Sequence, residues 1–293
     1  MDKLIIVCGL NGGRRKEECP AVPYTPQELA EEARRAAEAG AAVVHIHARH
    51  PDGSASYEPH VYGIADTMIR EKTNAIINHS LARPANVPHE QILQCLRGTK
   101  QPVDMAAVNL GNLSHARPDD QGPGNQEWID GLSPNGINEI LRTLDVCYEV
   151  GVVPEPAILD YGMVNTAVWL AQQGKLRGTH YFMIEFSEFA GMRPVQHMPA
   201  SIRGYHFMMD MIEDYFPTSI KLAHGYQSST YEIALQAIAG GHGLRIGLED
   251  RADLPSGRIA STNAEMVEWV VNVARAYGRE PATPEEARKA LMP

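Results

Sequence analysis

The sequence predicts an α/β protein built as a (β/α)8 TIM barrel, on three observations. Short β-rich runs alternate with amphipathic helical segments along all 293 residues. Eight such repeats follow one another with no linker or low-complexity stretch between them. No G-x-G-x-x-G turn follows the first strand, as it would in an open dinucleotide-binding sheet. A single domain, residues 1–293, is the organisation this implies.

The strands are expected at Leu4–Leu10, Val43–Ala48, Ala75–His79, Met105–Leu110, Val153–Leu159, Tyr181–Phe186, Ile220–His224 and Leu244–Leu248. Each is a short apolar or β-branched run bounded by turn residues. Between and after them, 3.6-residue periodicity predicts helices at Pro26–Ala39, Val61–Glu71, Pro88–Arg97, Asn135–Glu149, Met163–Gln173, Pro199–Tyr215, Thr230–Ala239 and Asn263–Tyr277. The first helix carries full punctuation: Thr25 caps it, Pro26 takes the first helical position, Glu28 completes a capping box and Gly40 stops it. Gly151 and the Gly240-Gly241 pair close the fourth and seventh helices in the same way. The methionines of "FMMDMI" (207–212) have helical spacing and read as core.

Composition narrows the function. With 26 basic and 36 acidic residues the formal net charge is −10, which argues against a nucleic-acid or anionic-membrane partner. The run "LIIVCGL" is too short for a signal peptide with its flanks, and no stretch approaches the roughly 18 apolar residues of a membrane span. Cys8, Cys19, Cys95 and Cys147 show no C-x-x-C spacing and read as reduced thiols, which predicts a cytoplasmic protein.

A barrel enzyme carries its chemistry where strands end. Polar residues gather at those positions: Asn11 after the first strand, His45, His47 and Arg49 at the second, Asn78, His79 and Ser80 at the third, Asn109 and Asn112 at the fourth. Glu155 lies within the fifth, Glu185 and Glu188 end the sixth, His224 ends the seventh, and Arg245, Glu249 and Asp250 flank the eighth. In "VVHIHARH" the period of two turns His45 and His47 to one face. That suits a metal, and it also suits two hydrogen-bonded core histidines. In a closed barrel one strand separates the second from the eighth, so Glu249 comes within reach of the pair. Two imidazoles and a carboxylate are a catalytic zinc set. Glu249 could instead pair with Arg245 or Arg251, and Asp250 could cap a helix.

The segments "YTPQELAEEARRAAEAGAAVVHIHAR", "VVPEPAILDYGMV" and "AGGHGLRIGLED", with "STNAEMVEWVVNVARAYGREPATPEEAR" after them, resemble the β-keto acid cleavage enzymes over nearly the whole chain. VHIHAR and GGHxxRxGxED in that order, at that separation, are specific to the resemblance. It implies a zinc-dependent TIM barrel with one zinc per chain, homotetrameric, that takes a β-keto acid and acetyl-CoA and returns acetoacetate and a new acyl-CoA. By motif, His45, His47 and Glu249 match the zinc ligands and Arg245 and Asp250 the catalytic pair. Ser80, Asn109 and Asn112 match positions that hold the substrate carboxylate.

The chain departs from the family in its loops. Where members have an acidic residue near position 14, it reads "NGGRRKEECP". This reversal of charge makes Arg14 a substrate-binding candidate for an anionic or neutral tail; a solvated basic loop is the alternative. "MIEFSEFAGM" replaces a glycine-rich loop after the sixth strand, "NHSLARP" a small turn after the third, and His50 an aspartate. Two other activities fit the same residues: a CoA-independent metal-dependent aldolase or lyase, and a non-catalytic metabolite-binding barrel.

Overall fold

The computed structural model describes residues 3–98, 101–118, 128–178, 180–187 and 197–292. The strands, in chain order, are β1 (Ile6–Gly9), β2 (Val43–Ile46), β3 (Ile76–Ser80), β4 (Met105–Asn109), β5 (Leu113–Pro118), β6 (Trp128–Ser133), β7 (Val153–Ile158), β8 (Tyr181–Ser187), β9 (Met198–Pro199), β10 (Ile220–Gly225) and β11 (Gly243–Ile246). Eight of them form a parallel ring in the order β10-β11-β1-β2-β3-β4-β7-β8, closed by pairing of β8 with β10. This is the (β/α)8 barrel that the alternation of elements predicts. Apolar side chains fill its core; β1, β2, β3, β8 and β11 are buried along their whole length, as expected of parallel strands covered on both faces.

The helices are α1 (Pro26–Ala39), α2 (Pro59–Lys72), α3 (His89–Arg97), α4 (Ile137–Val150), α5 (Tyr161–Gln172), α6 (Ile202–Tyr215), α7 (Thr230–Ala239), α8 (Asn263–Ala276) and α9 (Pro284–Leu291). In α1 the buried Leu29, Ala30, Ala33 and Ala36 form the inward stripe. The Thr25 hydroxyl accepts from the Glu28 N–H at 3.2 Å, and the Glu28 carboxylate accepts from the Thr25 N–H at 3.0 Å. Thr25→Ala removes half of this box and is expected to lower stability by about 1 kcal/mol, read as a shift in urea midpoint at unchanged slope.

Three features go beyond the sequence reading. β5 and β6 pair as an antiparallel hairpin after β4. A ninth helix, α9, follows α8, capped by Thr283 with Glu286. The sixth helix begins at Ile202 rather than Pro199, because Pro199 pairs with Ser187 at the edge of β8 and the Ser201 hydroxyl caps the helix by accepting from Gly204. The four cysteines are free and buried. Among the described residues no helix is long and apolar enough to cross a membrane.

Candidate active site

Register brings the site together. β1 lies between β2 and β11, with Gly9 beside His45 and Val7 beside Arg245. His45, on buried β2, directs Nδ1 to Asn78 Oδ1 at 3.3 Å. An amide oxygen only accepts, so the proton sits on Nδ1 and Nε2 keeps its lone pair. His47 lies just past the strand, and its backbone is clamped by Asn11: the His47 N–H donates to Asn11 Oδ1 at 3.0 Å, and Asn11 Nδ2 donates to the His47 carbonyl at 2.9 Å.

Glu249 enters from the turn after β11, its N–H donating to the Gly9 carbonyl at 3.1 Å. His47 Nε2 is 3.1 Å from Glu249 Oε1, and His45 Nε2 is 4.0 Å from Glu249 Oε2. One ligand atom from each of the three residues lies within 4.8 Å of the others. The turn after β1 makes room: at Gly12, with φ +50°, a Cβ would come within 2.2 Å of Glu249 Cγ.

The electrostatics favour a cation in this triangle. Burial, then the nearby Arg245, push the His45 pKa down to about 3, so its ring is neutral and able to ligate. Burial raises the Glu249 carboxyl, but neighbouring positive charge, Arg245 foremost, more than offsets it and holds it well below the usual carboxylate range. Glu249 Oε2 is buried with no hydrogen-bond partner among the described residues. Buried oxygens are rarely left so. With the donor set of two imidazoles and a carboxylate, it fits a metal of the zinc type.

Behind the triangle runs a second line of charge. The Arg245 guanidinium crosses Gly9, where a Cβ would come within 2.9 Å of Nε. Its Nη2 lies 2.6 Å from Glu249 Oε1 and 3.0 Å from Asp250 Oδ1. Asp250 Oδ1 is also 2.7 Å from His224 Nε2, and both residues are fully buried. Further on, Glu185 Oε2 lies 3.8 Å from both His224 Nδ1 and His197 Nε2. Burial raises the Glu185 carboxyl, but His197, His224 and Arg245 bring it down to about 2. Glu155, buried with less compensation, is pushed up to about 7.

Ser80, Asn109, Asn112 and Arg14 fall at the same end of the barrel, at or just past the ends of β3, β4 and β1. Ser80 ends β3, its hydroxyl accepting from the Ala82 N–H at 3.3 Å. Asn109 ends β4, its carbonyl accepting from the Asn135 amide. Asn112 is exposed and its Oδ1 accepts from the Asn135 N–H at 2.7 Å, which ties the base of the hairpin to the start of α4. Arg14 is not solvated: its guanidinium donates to the carbonyls of Leu248 and Glu249, and it pairs with Glu18 at 3.5 Å. His79 is bound to Asp66 at 2.7 Å and His242 to the Tyr205 hydroxyl at 2.7 Å. Glu188 lies outside the described residues.

The sequence reading placed Asn11 at the first strand end without assigning it the clamp. It gave no part to Gly9, Gly12 or His197, and the only available signal for the glycines was their position at a barrel strand end.

A family model described as beta-keto acid cleavage enzyme matches residues 3–292. The 3-keto-5-aminohexanoate cleavage enzyme of Fusobacterium nucleatum subsp. nucleatum is 32% identical over 99% of this chain and 98% of its own. The 3-oxoadipate:acetyl-CoA acetyltransferase of Cupriavidus necator is 27% identical over 94% of this chain and 90% of its own. The solved structure of ObcA in ternary complex with a C4-CoA adduct and oxalate matches with a TM-score of 0.73 at 18% identity, over 93% of this chain and 67% of that one, a likeness of fold.

Proposed function

The chain belongs to the β-keto acid cleavage enzyme family, and from that premise we propose that it exchanges acyl groups between a β-keto acid and acetyl-CoA. The CH2–COO⁻ unit leaves the acyl carbon of R–CO–CH2–COO⁻ and joins the acetyl carbon. CoA moves from the acetyl to the R–CO group. The products are acetoacetate and R–CO–SCoA. The relatives' names support this reading, since one cleaves a β-keto acid and another uses acetyl-CoA with 3-oxoadipate. The observation that carries it is the triangle of His45, His47 and Glu249 with the unsatisfied Glu249 Oε2 in front of Arg245.

His45, His47 and Glu249 would hold one zinc ion. When bound, such an ion supplies Lewis-acid stabilisation of negative charge on substrate oxygens. The remaining work falls to the protein. Arg245 has too high a pKa to act as a base, so its N–H groups polarise the oxygen at which charge develops. Asp250 orients Arg245 and is itself fixed by His224. Ser80 and Asn109 stand at adjacent strand ends where the substrate carboxylate is received, and Asn112 shapes that edge through Asn135. Arg14 serves the substrate side indirectly, by holding the Leu248–Glu249 backbone in place.

The assembly proposed is a cytoplasmic homotetramer of one-domain chains. The family resemblance supports the tetramer, the four free buried cysteines support a reducing compartment, and the charge of −10 supports the absence of nucleic-acid partners.

The test is metal content by elemental analysis on wild type and His47→Ala, followed by acetoacetate release from a panel of β-keto acids with and without acetyl-CoA. Expected are about one zinc per chain, lost in the variant, and acetoacetate only when the thioester is present. Carbon–carbon cleavage without it would make the protein a lyase. Absence of metal from both proteins after zinc soaking would sink the reading.

A further inference from the structure

The outer faces of the helices are not alike. On α1 and α2 the outward positions carry ion pairs: Arg34 with Glu31 and Glu38, Arg35 with Glu32, and Lys72 with Glu31. That is how a surface turned to water is built. α5 has no charged residue in its 12 positions, and its neighbour α6 meets it through the rings of Tyr161 and Phe207, 5.9 Å apart. Tyr161, Trp169, Ile202, Phe207 and Tyr215 on these two helices are between 40% and 67% exposed, and they are five of the eleven exposed large apolar side chains among the described residues. One such side chain is ordinary on any surface. Five on adjoining helices, four of them aromatic, make the centre of an association surface.

α6 also carries charge that nothing meets. Arg203, Phe207, Asp210 and Asp214 follow one another at i, i+4, i+7 and i+11, so they share one stripe of the helix, and all four are exposed. Among the described residues Arg203, Asp210 and Asp214 form no ion pair, whereas Glu213 beside them is bound to Lys221. The order of the charges says what covers the face. Arg203 lies one turn before Phe207, and Asp210 about one turn after it. In a second α6 laid antiparallel on the first, with a two-fold axis at Phe207, residues equally far before and after Phe207 come face to face. Arg203 of each copy then meets the other copy's Met211 and, about 1.5 Å away along the axis, its Asp210. The ion pair forms twice and the two Phe207 rings meet between them. A single surface with both signs placed about its own centre is self-complementary, as a two-fold contact requires. The formal charge of −10 makes two copies repel at long range, so the attraction has to be placed within the contact itself.

We propose that the outer face of α5 and α6 docks a second copy of this chain, α6 lying antiparallel to its mate about a two-fold axis at Phe207. This rests on the reading of the protein as a homo-oligomer and gives that assembly a contact surface.

The test is mass and dissociation constant by analytical ultracentrifugation of the full chain over a dilution series, for wild type, Phe207→Glu, Arg203→Glu and Asp210→Arg. Each substitution is at an exposed position, and an unchanged circular dichroism spectrum shows that the fold is kept. Each is expected to weaken association by about ten- to a hundredfold, read as a species of half the wild-type mass. Arg203→Glu and Asp210→Arg each set like charges opposite one another in their own pairs. Mixed in equal amounts they restore both ion pairs, so the wild-type mass is expected to return. A wild type that sediments as one chain removes the oligomer and this proposal with it. An oligomer of unchanged mass and affinity in all three variants keeps the oligomer and overturns this face. Weakening without recovery on mixing overturns the two-fold pairing.

Discussion

Replacing Arg245 by methionine is expected to lower kcat/KM by about a hundred- to a thousandfold, the usual cost of removing one preorganised donor from a developing negative charge. Methionine keeps much of the side chain's bulk against Gly9 and removes every N–H, so the loss reports chemistry rather than packing. It also leaves Glu249 and Asp250 buried beside an uncharged neighbour. Breaking a buried pair in this way costs about 3–5 kcal/mol, and the metal-free protein should show most of it as a lower melting temperature. Zinc held as proposed would neutralise Glu249, so part of that stability is expected to return on metal loading. In the wild type Arg245 depresses the Glu249 pKa below the ordinary 4.5. The stabilisation from that shift is complete above about pH 4.5 and is lost as the pH falls through the lower folded-state value. Without Arg245 the Glu249 pKa rises, and metal release on acidification should move to higher pH. Activity within tenfold of wild type would take Arg245 out of the chemistry.

A single methyl group at Gly12 is expected to cost nearly as much. The residue has a φ of +50°, where a side chain is strained, and its added Cβ would meet Glu249 Cγ at 2.2 Å. Something must move. Gly12 and the Glu249 turn are both tied to β1, so the carboxylate is the freer partner and swings away from the two histidines. The strain is worth about 1–2 kcal/mol, and loss of ligand placement lowers zinc affinity by about ten- to a hundredfold. Gly13→Ala is the internal control, because nothing lies within 4 Å of the Cβ it would add and its φ is not positive. Competition with a fluorescent zinc chelator measures both variants. Equal affinities for Gly12→Ala and Gly13→Ala would show that Glu249 is not the metal's third partner.

Much of this architecture can be read from the chain because barrel strands are short, apolar and separated by amphipathic helices. α1 is legible to the residue, since Thr25, Pro26, Glu28 and Gly40 each act locally. The β5–β6 hairpin is not. "LSHARP" and "WIDGLS" lack regular alternation, and Pro118 and Gly131 are strand breakers, so pairing between the two segments carries the structure rather than propensity. α9 is too short to show its period clearly, although its "TPEE" start is a strong cap.

Within the site, side chains that share a strand or a turn can be placed from spacing, as His45 and His47 can. Arg14 cannot, because what it binds is backbone more than 230 positions away. The clamp of Asn11 on His47 is hidden for the same reason: polar residues after a strand are common, and only the folded register says which backbone they meet.

The order β11-β1-β2 also bears on when the protein matures. His45 and His47 are made early in synthesis, whereas Glu249 is separated from His45 by 204 residues and arrives only when β11 docks against β1. A nascent chain still short of that strand holds two of the three proposed ligands, so metal capture would come after ring closure and would not guide it. From then on the ion would act as a clasp across the seam where the first and last strands meet. It would bind the closed ring and not the open chain, so raising free zinc should slow ring opening at this seam more than fraying of α9 at the far end of the chain.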